Sequence, residues 1–403
     1  MMMKLKPKLI YLFSGLIFVV AIFQIVHGVF PVIKNRNLVD FMVYWNNWSK
    51  WSEGINIYLP VKGNIPFNYP PSTLIIFSFF KIFPLKIAEY LNMILSIVAF
   101  CYSIYLILKL LKFKIRYPWY LILTAFALQT FPFKFTLILG QVNAYVLMLS
   151  VMSLYLYVRS VKNNKTYYFL SAILMSLSVS MKILPVVTLP LFLLFGDVTF
   201  VLFVFSGLTI IGLASGMNLS FYYFQKVLPS LTGFGTTSFY DQSITAFLLR
   251  FGMPTNIVPK ISLLITITIF VLIFTFFYRN LRMTKDKYRH YVLIKYFFIC
   301  LSFISIAVNF SWQHHLVLAY PLIIMILLSF KKTISILTSI VVWFILFFHF
   351  PSEKSPFLTN PFIASYQTLT IFILTQVGLF ARSIGYNMTD ENREKNRDRL
   401  RLV

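Results

Sequence analysis

The segment STLIIFSFFKIFP, Ser72 to Pro84, decides how this chain is threaded. It is apolar, but about 13 residues of helix fall short of a hydrocarbon layer of about 30 Å, and Lys81 interrupts it. It is therefore expected to be an interfacial or re-entrant helix. The apolar runs on either side then give about twelve spans, at about 9–30, 86–110, 118–133, 142–158, 167–181, 183–195, 198–216, 257–278, 291–310, 312–330, 333–350 and 367–382.

The distribution of cations tests that choice. With Ser72–Pro84 not crossing, one side collects Lys4, Lys6 and Lys8; Lys109, Lys112, Lys114 and Arg116; Arg159, Lys162 and Lys165; Arg279, Arg282, Lys285, Lys287 and Arg289; Lys331 and Lys332; and the basic tail. Basic residues in short loops mark the cytoplasmic side. If the segment crossed, the Lys109–Arg116 cluster and every later basic loop would face outward. The formal charge of +25 is thus a signature of topology and not of nucleic-acid binding, because the cations are scattered between spans and line no single soluble face.

Composition points the same way: 59% of the 403 residues are hydrophobic and 12% are charged, which excludes an ordinary soluble domain. No gap between spans is large enough for a second domain. The reading is a single all-α, polytopic membrane domain over residues 1–382, followed by a basic, solvated tail, 383–403, with almost nothing apolar to bury. The start, MMMKLKPK and then an apolar run from Leu9, lacks a small-residue cleavage site and reads as a retained first helix. Cys101 and Cys300 lie inside apolar runs without a CxxC spacing and read as inert core residues.

Two long loops face outward in this topology, Pro31 to about Leu85 and Met217 to about Asn256. Of the eleven carboxylates, six fall on the cytoplasmic side. Asp40, in NLVDFMVYWNNWSKW, is set among aromatics and amides at the membrane surface, where partial desolvation makes a carboxylate a useful base. On the sequence pattern alone, the same Asp reads more readily as the N-cap of the short helix that follows. FNYPPS, Phe67 to Ser72, is a rigid turn into the interfacial helix. LGQVN, Leu139 to Asn143, puts Gln141 and Asn143 at the outer mouth of a span, to bind sugar hydroxyls or to cap the helix. Lys182, between two apolar runs in SMKILPVV, requires an anionic partner or an aqueous cavity, or else snorkels to the headgroups. FYDQSITAFLLRF gathers Asp241, Gln242, Ser243 and Arg250; Asp241 or Ser243 is a candidate cap, and Arg250 a candidate phosphate ligand. NFSWQHHLVLAYP brings Trp312, His314 and His315 to an outer boundary, suited to phosphate contact or proton transfer. Adjacent histidines with no completing ligands do not read as a metal site.

Taken in order, DFMVYW from Asp40, EGINIY at Glu53–Tyr58, NYPP at Asn68–Pro71, GQVN at Gly140–Asn143, the Lys182-x-x-Pro185 pair, DQS at Asp241–Ser243 and SWQHH at Ser311–His315 resemble glycosyltransferase family 87. The resemblance runs from about residue 40 to 320 and rests on seven short motifs in the right order. It implies a C-type glycosyltransferase fold that moves a hexose, mannose in the best-known members, from a polyprenyl-phosphate donor to a lipid or glycan acceptor on the extracytoplasmic face, with inversion. It implies Asp40 as general base, and Lys182, Arg250, His314 and His315 as donors to a phosphate that leaves without protonation. Tyr44, Tyr69, Gln141, Asn143, Asp241, Gln242, Ser243 and Trp312 are the implied sugar or acceptor contacts. The family more often has Asn where Asp241 stands, which makes Asp241 a rival base. No cofactor, metal or nucleic acid is implied; membrane lipids are. The expected location is the plasma membrane, with both termini cytoplasmic. Two alternatives stay open, a lipid-linked sugar carrier or flippase and a membrane subunit of polysaccharide assembly. A carrier is the less favoured, because no inverted repeat is visible and mid-span charges are rare, with Lys295 and Glu89 both near span ends.

Overall fold

Long apolar runs without interior helix breakers become long helices, and this governs the computed structural model of the chain, which describes residues 7–59, 66–112, 117–160, 164–232, 235–329 and 355–380. The helices in chain order are α1 (Pro7–Asn35), α2 (Val39–Ser52), α3 (Ser72–Phe77), α4 (Leu85–Leu110), α5 (Tyr117–Gln129), α6 (Phe131–Leu139), α7 (Asn143–Ser160), α8 (Lys165–Met181), α9 (Leu189–Phe195), α10 (Val198–Ala214), α11 (Met217–Tyr222), α12 (Leu228–Thr232), α13 (Ile244–Arg250), α14 (Val258–Met283), α15 (Arg289–Ala307), α16 (Tyr320–Ser329) and α17 (Tyr366–Phe380). No strand occurs among the described residues.

Among the described residues, four helical stretches are long and apolar enough to cross a membrane: Leu9–Asn35, Leu85–Leu110, Val258–Met283 and Asp286–Ala307. Two bent pairs raise the number to six if each is one span. The run expected at 118–133 is interrupted at Thr130, whose extended backbone precedes Pro132 near the start of α6, and the two halves meet at 63°. The run at 198–216 ends at Gly216, with φ of +103°, and the chain turns by 114° into α11. Those at 183–195, 312–330 and 367–382 form shorter apolar helices, Leu184–Phe195, Gln313–Leu328 and Tyr366–Phe380. The first two begin as 3-10 turns, Leu184–Thr188 and Gln313–Ala319. The expected span at 333–350 and tail at 383–403 lie outside the described residues, as do Lys4, Lys6, Lys114, Arg116, Lys162, Lys331 and Lys332.

α15 is the axis of the bundle: every residue from Val292 to Ala307 is buried. α14, α16 and α17 pack against it, while α7 packs on α8 and α8 on α10 through small and hydroxyl side chains. Ser150 and Ser178 hydroxyls meet at 2.8 Å, and Ser153 and Ser171 each donate to the other's carbonyl at 2.8 and 2.7 Å. Ser176 donates to Val204 O at 3.0 Å beside Gly207, where a Cβ would collide with it. In an apolar surround, helices associate through such close approach and interhelical hydrogen bonds, not through exclusion of water.

The segment from Ser72 lies against α2. α3 is six residues long and continues as a 3-10 turn, Ser78–Ile82. Phe77 packs on Phe41 and Tyr44 at ring distances of 5.6 and 4.2 Å. Lys81, the polar interruption in the sequence, stands 3.9 Å from the centre of the Trp45 ring and donates to Ser49 Oγ at 3.0 Å.

Candidate active site

Asp40 sits in the first turn of α2. Leu38, with extended backbone, occupies the cap position, and Asp40 makes no capping bond, so the alternative that it caps this helix is not met. Its carboxylate turns instead to α6 and α7. Gln141 Nε2 donates to Asp40 Oδ2 at 2.5 Å and to the Tyr69 hydroxyl at 2.8 Å, and Gln141 Oε1 accepts from the Tyr44 hydroxyl at 3.3 Å. The Tyr44 and Tyr69 rings lie 4.9 Å apart.

Gln141 reaches Asp40 because of the glycine before it. Gly140 adopts φ of +74°, and the Gly140 and Gln141 amides bond back to Leu137 O and Thr136 O at 3.1 and 2.9 Å, which closes α6 and swings Gln141 outward. A Cβ on Gly140 would come within 2.7 Å of Phe41 Cβ and 3.1 Å of Leu38 Cβ. Only glycine gives both the turn and the close passage of α2.

Asn143, the first residue of α7, is fully buried and forms the next link. Its Nδ2 donates to His314 O at 3.0 Å, and its Oδ1 accepts from Lys182 Nζ at 2.8 Å. Lys182 lies at the reversal after α8, buried rather than snorkelling outward. The NYPP turn holds that reversal from the other side: Ser72 Oγ donates to Ser180 O at 2.9 Å, and Thr73 Oγ1 to Met181 O at 3.1 Å. Tyr58 of the EGINIY motif donates to Tyr69 O at 2.8 Å. Asp40, Tyr44, Tyr69 and Gln141 thereby form one hydrogen-bonded cluster and Asn143 and Lys182 a second, joined to it by the turn Gln141–Asn143 and by Lys182 Nζ, 5.9 Å from the centre of the Tyr69 ring.

Its electrostatics follow from burial. Removal from water pushes the Asp40 carboxyl above the ordinary carboxylate range, opposed by the Gln141 hydrogen bond and the charge of Lys182. Burial pushes the Lys182 ammonium down to about 7, opposed by the charge of Asp40. A weakly solvated carboxylate and an ammonium balanced near neutrality are suited to accepting a proton and to binding an anion.

Asp241, Gln242, Ser243, Arg250 and Trp312 assemble separately. Ser243 is the cap of α13, accepting from Ala246 N at 2.9 Å. Asp241 is buried, and its Oδ1 accepts from Ser243 N and Ser311 N, both at 3.0 Å. Gln242 N donates to Ser311 O at 2.6 Å and Gln313 N to Tyr240 O at 2.9 Å, so DQS and SWQHH are laced backbone to backbone. Arg250 donates to Ser238 O and Asp241 O, both at 2.5 Å, and to Ser365 Oγ at 2.7 Å. Gln242 Nε2 donates to Phe239 O and Ala364 O at 2.8 and 2.9 Å. These polar groups are turned inward to one another.

The two assemblies meet through aromatic rings. Phe135 stacks on Tyr240 at 5.5 Å and approaches the His314 ring at 5.6 Å, and Tyr240 stacks on Trp312 at 5.7 Å. His314 and His315 are both buried, with ring centres 4.6 Å apart. Ser311 Oγ lies 3.3 Å from His315 Nδ1, whereas His314 Nδ1 has no hydrogen-bond partner among the described residues.

Three contributors, Glu89, Lys86 and Gly140, are not evident from the sequence. Glu89 and Lys86, on α4, contact the α1–α2 link from behind; Glu89 read as a charge near a span end, and nothing in its own neighbourhood ties it to Asp40. Gly140 stood inside a recognised motif, but its close approach to Phe41 needs the third dimension.

No curated protein matches the sequence. The model of glycosyltransferase family 87 matches residues 67–303, more than half of the chain, and that interval contains NYPP, GQVN, Lys182-x-x-Pro185 and DQS, while Asp40 and SWQHH flank it. A helical chain with membrane-length apolar helices is consistent with that match, and the chain belongs to glycosyltransferase family 87 and is a glycosyltransferase.

Proposed function

We propose that the chain is an inverting hexosyltransferase that moves a sugar, mannose foremost, from a polyprenyl-phosphate donor to a hydroxyl of a lipid or glycan acceptor. The acceptor oxygen attacks the anomeric carbon as the bond from that carbon to the phosphate oxygen breaks. Asp40 takes the acceptor proton, and the polyprenyl phosphate leaves as an anion stabilised by Lys182. Tyr44, Tyr69, Gln141 and Asn143 orient the sugar. His314 and His315 line the approach to the phosphate. Asp241, Gln242, Ser243 and Arg250 hold the wall carrying Trp312. The catalytic domain is residues 1–382, with 383–403 as its tail. It resides in the plasma membrane, both termini are cytoplasmic and Asp40 faces outward beside membrane lipids.

The observation that supports the reading is that one short turn, Gln141–Asn143, carries both the hydrogen-bond partner of Asp40 and that of Lys182. The test is incubation of the purified protein in liposomes with radiolabelled polyprenyl-phosphate-mannose and a membrane lipid extract, beside Asp40→Ala. Labelled glycolipid formed only by the native chain supports the reaction and the base together. Labelled donor moved intact across the bilayer, with no new product, would replace it with carriage.

A further inference from the structure

Two charged side chains behind Asp40 have no part in the proposed chemistry. Glu89, in the second turn of α4, is a fully buried carboxylate. Burying a charge is expensive unless it is paired and hydrogen-bonded, so its partners are informative. Glu89 Oε1 accepts from Leu38 N at 2.7 Å, and Oε2 lies 3.2 Å from Lys86 Nζ. Lys86 Nζ donates to Ile33 O at 2.6 Å, Arg36 O at 3.2 Å and Asn37 Oδ1 at 2.7 Å.

The arrangement is complementary at both helix ends. The carbonyls at the end of α1 receive a cation, and the amide of Leu38, the cap residue of α2, receives an anion. Leu38 has no side-chain oxygen with which α2 could cap itself, so the cap is supplied from another element. One turn of α4 grips the whole link Arg36–Leu38, and Asp40 follows two residues later.

We propose that Glu89, braced by Lys86, is a positioning residue for the base: it fixes the first turn of α2 so that the Asp40 carboxylate meets Gln141 and the acceptor. This inference rests on the assignment of Asp40 as base. It does not make Glu89 a participant in the reaction.

The test compares Glu89→Ala, Glu89→Gln and Asp40→Asn in liposomes, reading kcat, donor KM and hydrogen exchange of peptides covering α2. Small displacements of a reacting group cost up to about 100-fold, so Glu89→Ala is expected to lower kcat by about 30-fold, with donor KM changed less than about 3-fold. Glu89→Gln retains an oxygen for Leu38 N and is expected to recover most of kcat. Exchange in α2 accelerates in Glu89→Ala alone, while exchange in α7 and α8 is unchanged. If Glu89→Ala does not fold, Lys86→Met, altered at an exposed side chain, carries the same comparison. Native kcat in Glu89→Ala, an equal loss in Glu89→Gln, or unchanged exchange in α2 overturns the proposal. Should the native chain transfer no sugar, the reaction assignment fails first, and the exchange result alone decides whether the joint holds α2.

Discussion

Asp40 and Lys182 act on each other's protonation, and each carries a signed prediction. The raised Asp40 carboxyl means that, just above the ordinary value of 3.8, the folded chain holds a proton the unfolded chain has released. Stability contributed by this group therefore falls as pH rises through that window. Asp40→Asn is expected to melt no lower than the native protein at pH 7 while losing transfer by about 100- to 10,000-fold; a stable variant with full activity would remove Asp40 as base. Lys182 shifts the other way. Between about 7 and 10.5 the unfolded chain keeps a proton that the native chain gives up, so stability from this group rises with pH there. Binding an anionic donor in that range draws the proton back, and donor KM is expected to rise about tenfold per pH unit above 7. Lys182→Arg flattens the slope, because a guanidinium stays charged. A native KM flat from about pH 6 to 9 would take Lys182 out of the phosphate site. The sequence made both residues conspicuous, since ionisable groups beside apolar runs are rare. It did not reveal that Arg250 is engaged by Ser238 O and Asp241 O, because backbone partners leave no mark in a sequence.

Helix ends, more than helices, position the site. α6 ends at Gly140, α7 begins at Asn143, α8 stops before Lys182, and α2 begins directly after its link to α1, with Asp40 two residues past that link. Gly140→Ala places a Cβ against Phe41 on the helix that carries Asp40, and it strains a left-handed backbone at a cost of about 1–3 kcal/mol. The expected outcome is a lower melting temperature together with a fall in kcat, and a lowered melting temperature with native kcat would show that α2 tolerates the displacement. Asp241 separates two readings at this scale. If it is the brace that its bonds to Ser243 N and Ser311 N suggest, Asp241→Ala orphans buried amides at about 1–3 kcal/mol each, while Asp241→Asn keeps an acceptor and much of the activity. Lost transfer in Asp241→Asn at an unchanged melting temperature would make it the base instead. Periodicity and hydropathy exposed most helices, but a window average runs straight through a break. Hence 118–133 reads as one straight span although Pro132 was in plain view, whereas the run at 198–216 ends where Gly216 turns the chain.

For the whole molecule, the number of crossings matters less to function than the side on which Asp40 stands, and that depends on one segment. Glu53 directly follows α2, and Lys109 lies in the last turn of α4. Between them, α4 is long and apolar enough for one crossing, whereas α3 with its 3-10 turn, Ser72–Ile82, is short and rests on α2. If only α4 crosses, the two positions face opposite sides, whether the chain has four, six or twelve spans in all. If Ser72–Ile82 crosses as well, they share a side. With Cys101→Ala and Cys300→Ala removing both native thiols, an impermeant maleimide applied to intact cells is expected to label Glu53→Cys and not Lys109→Cys, and to label both after lysis. Labelling at both positions in intact cells would make Ser72–Ile82 a span and move every later basic loop outward, against the cation distribution. Labelling at Lys109→Cys alone would turn Asp40 to the cytoplasm, where the donor headgroup would have to be presented from the opposite leaflet.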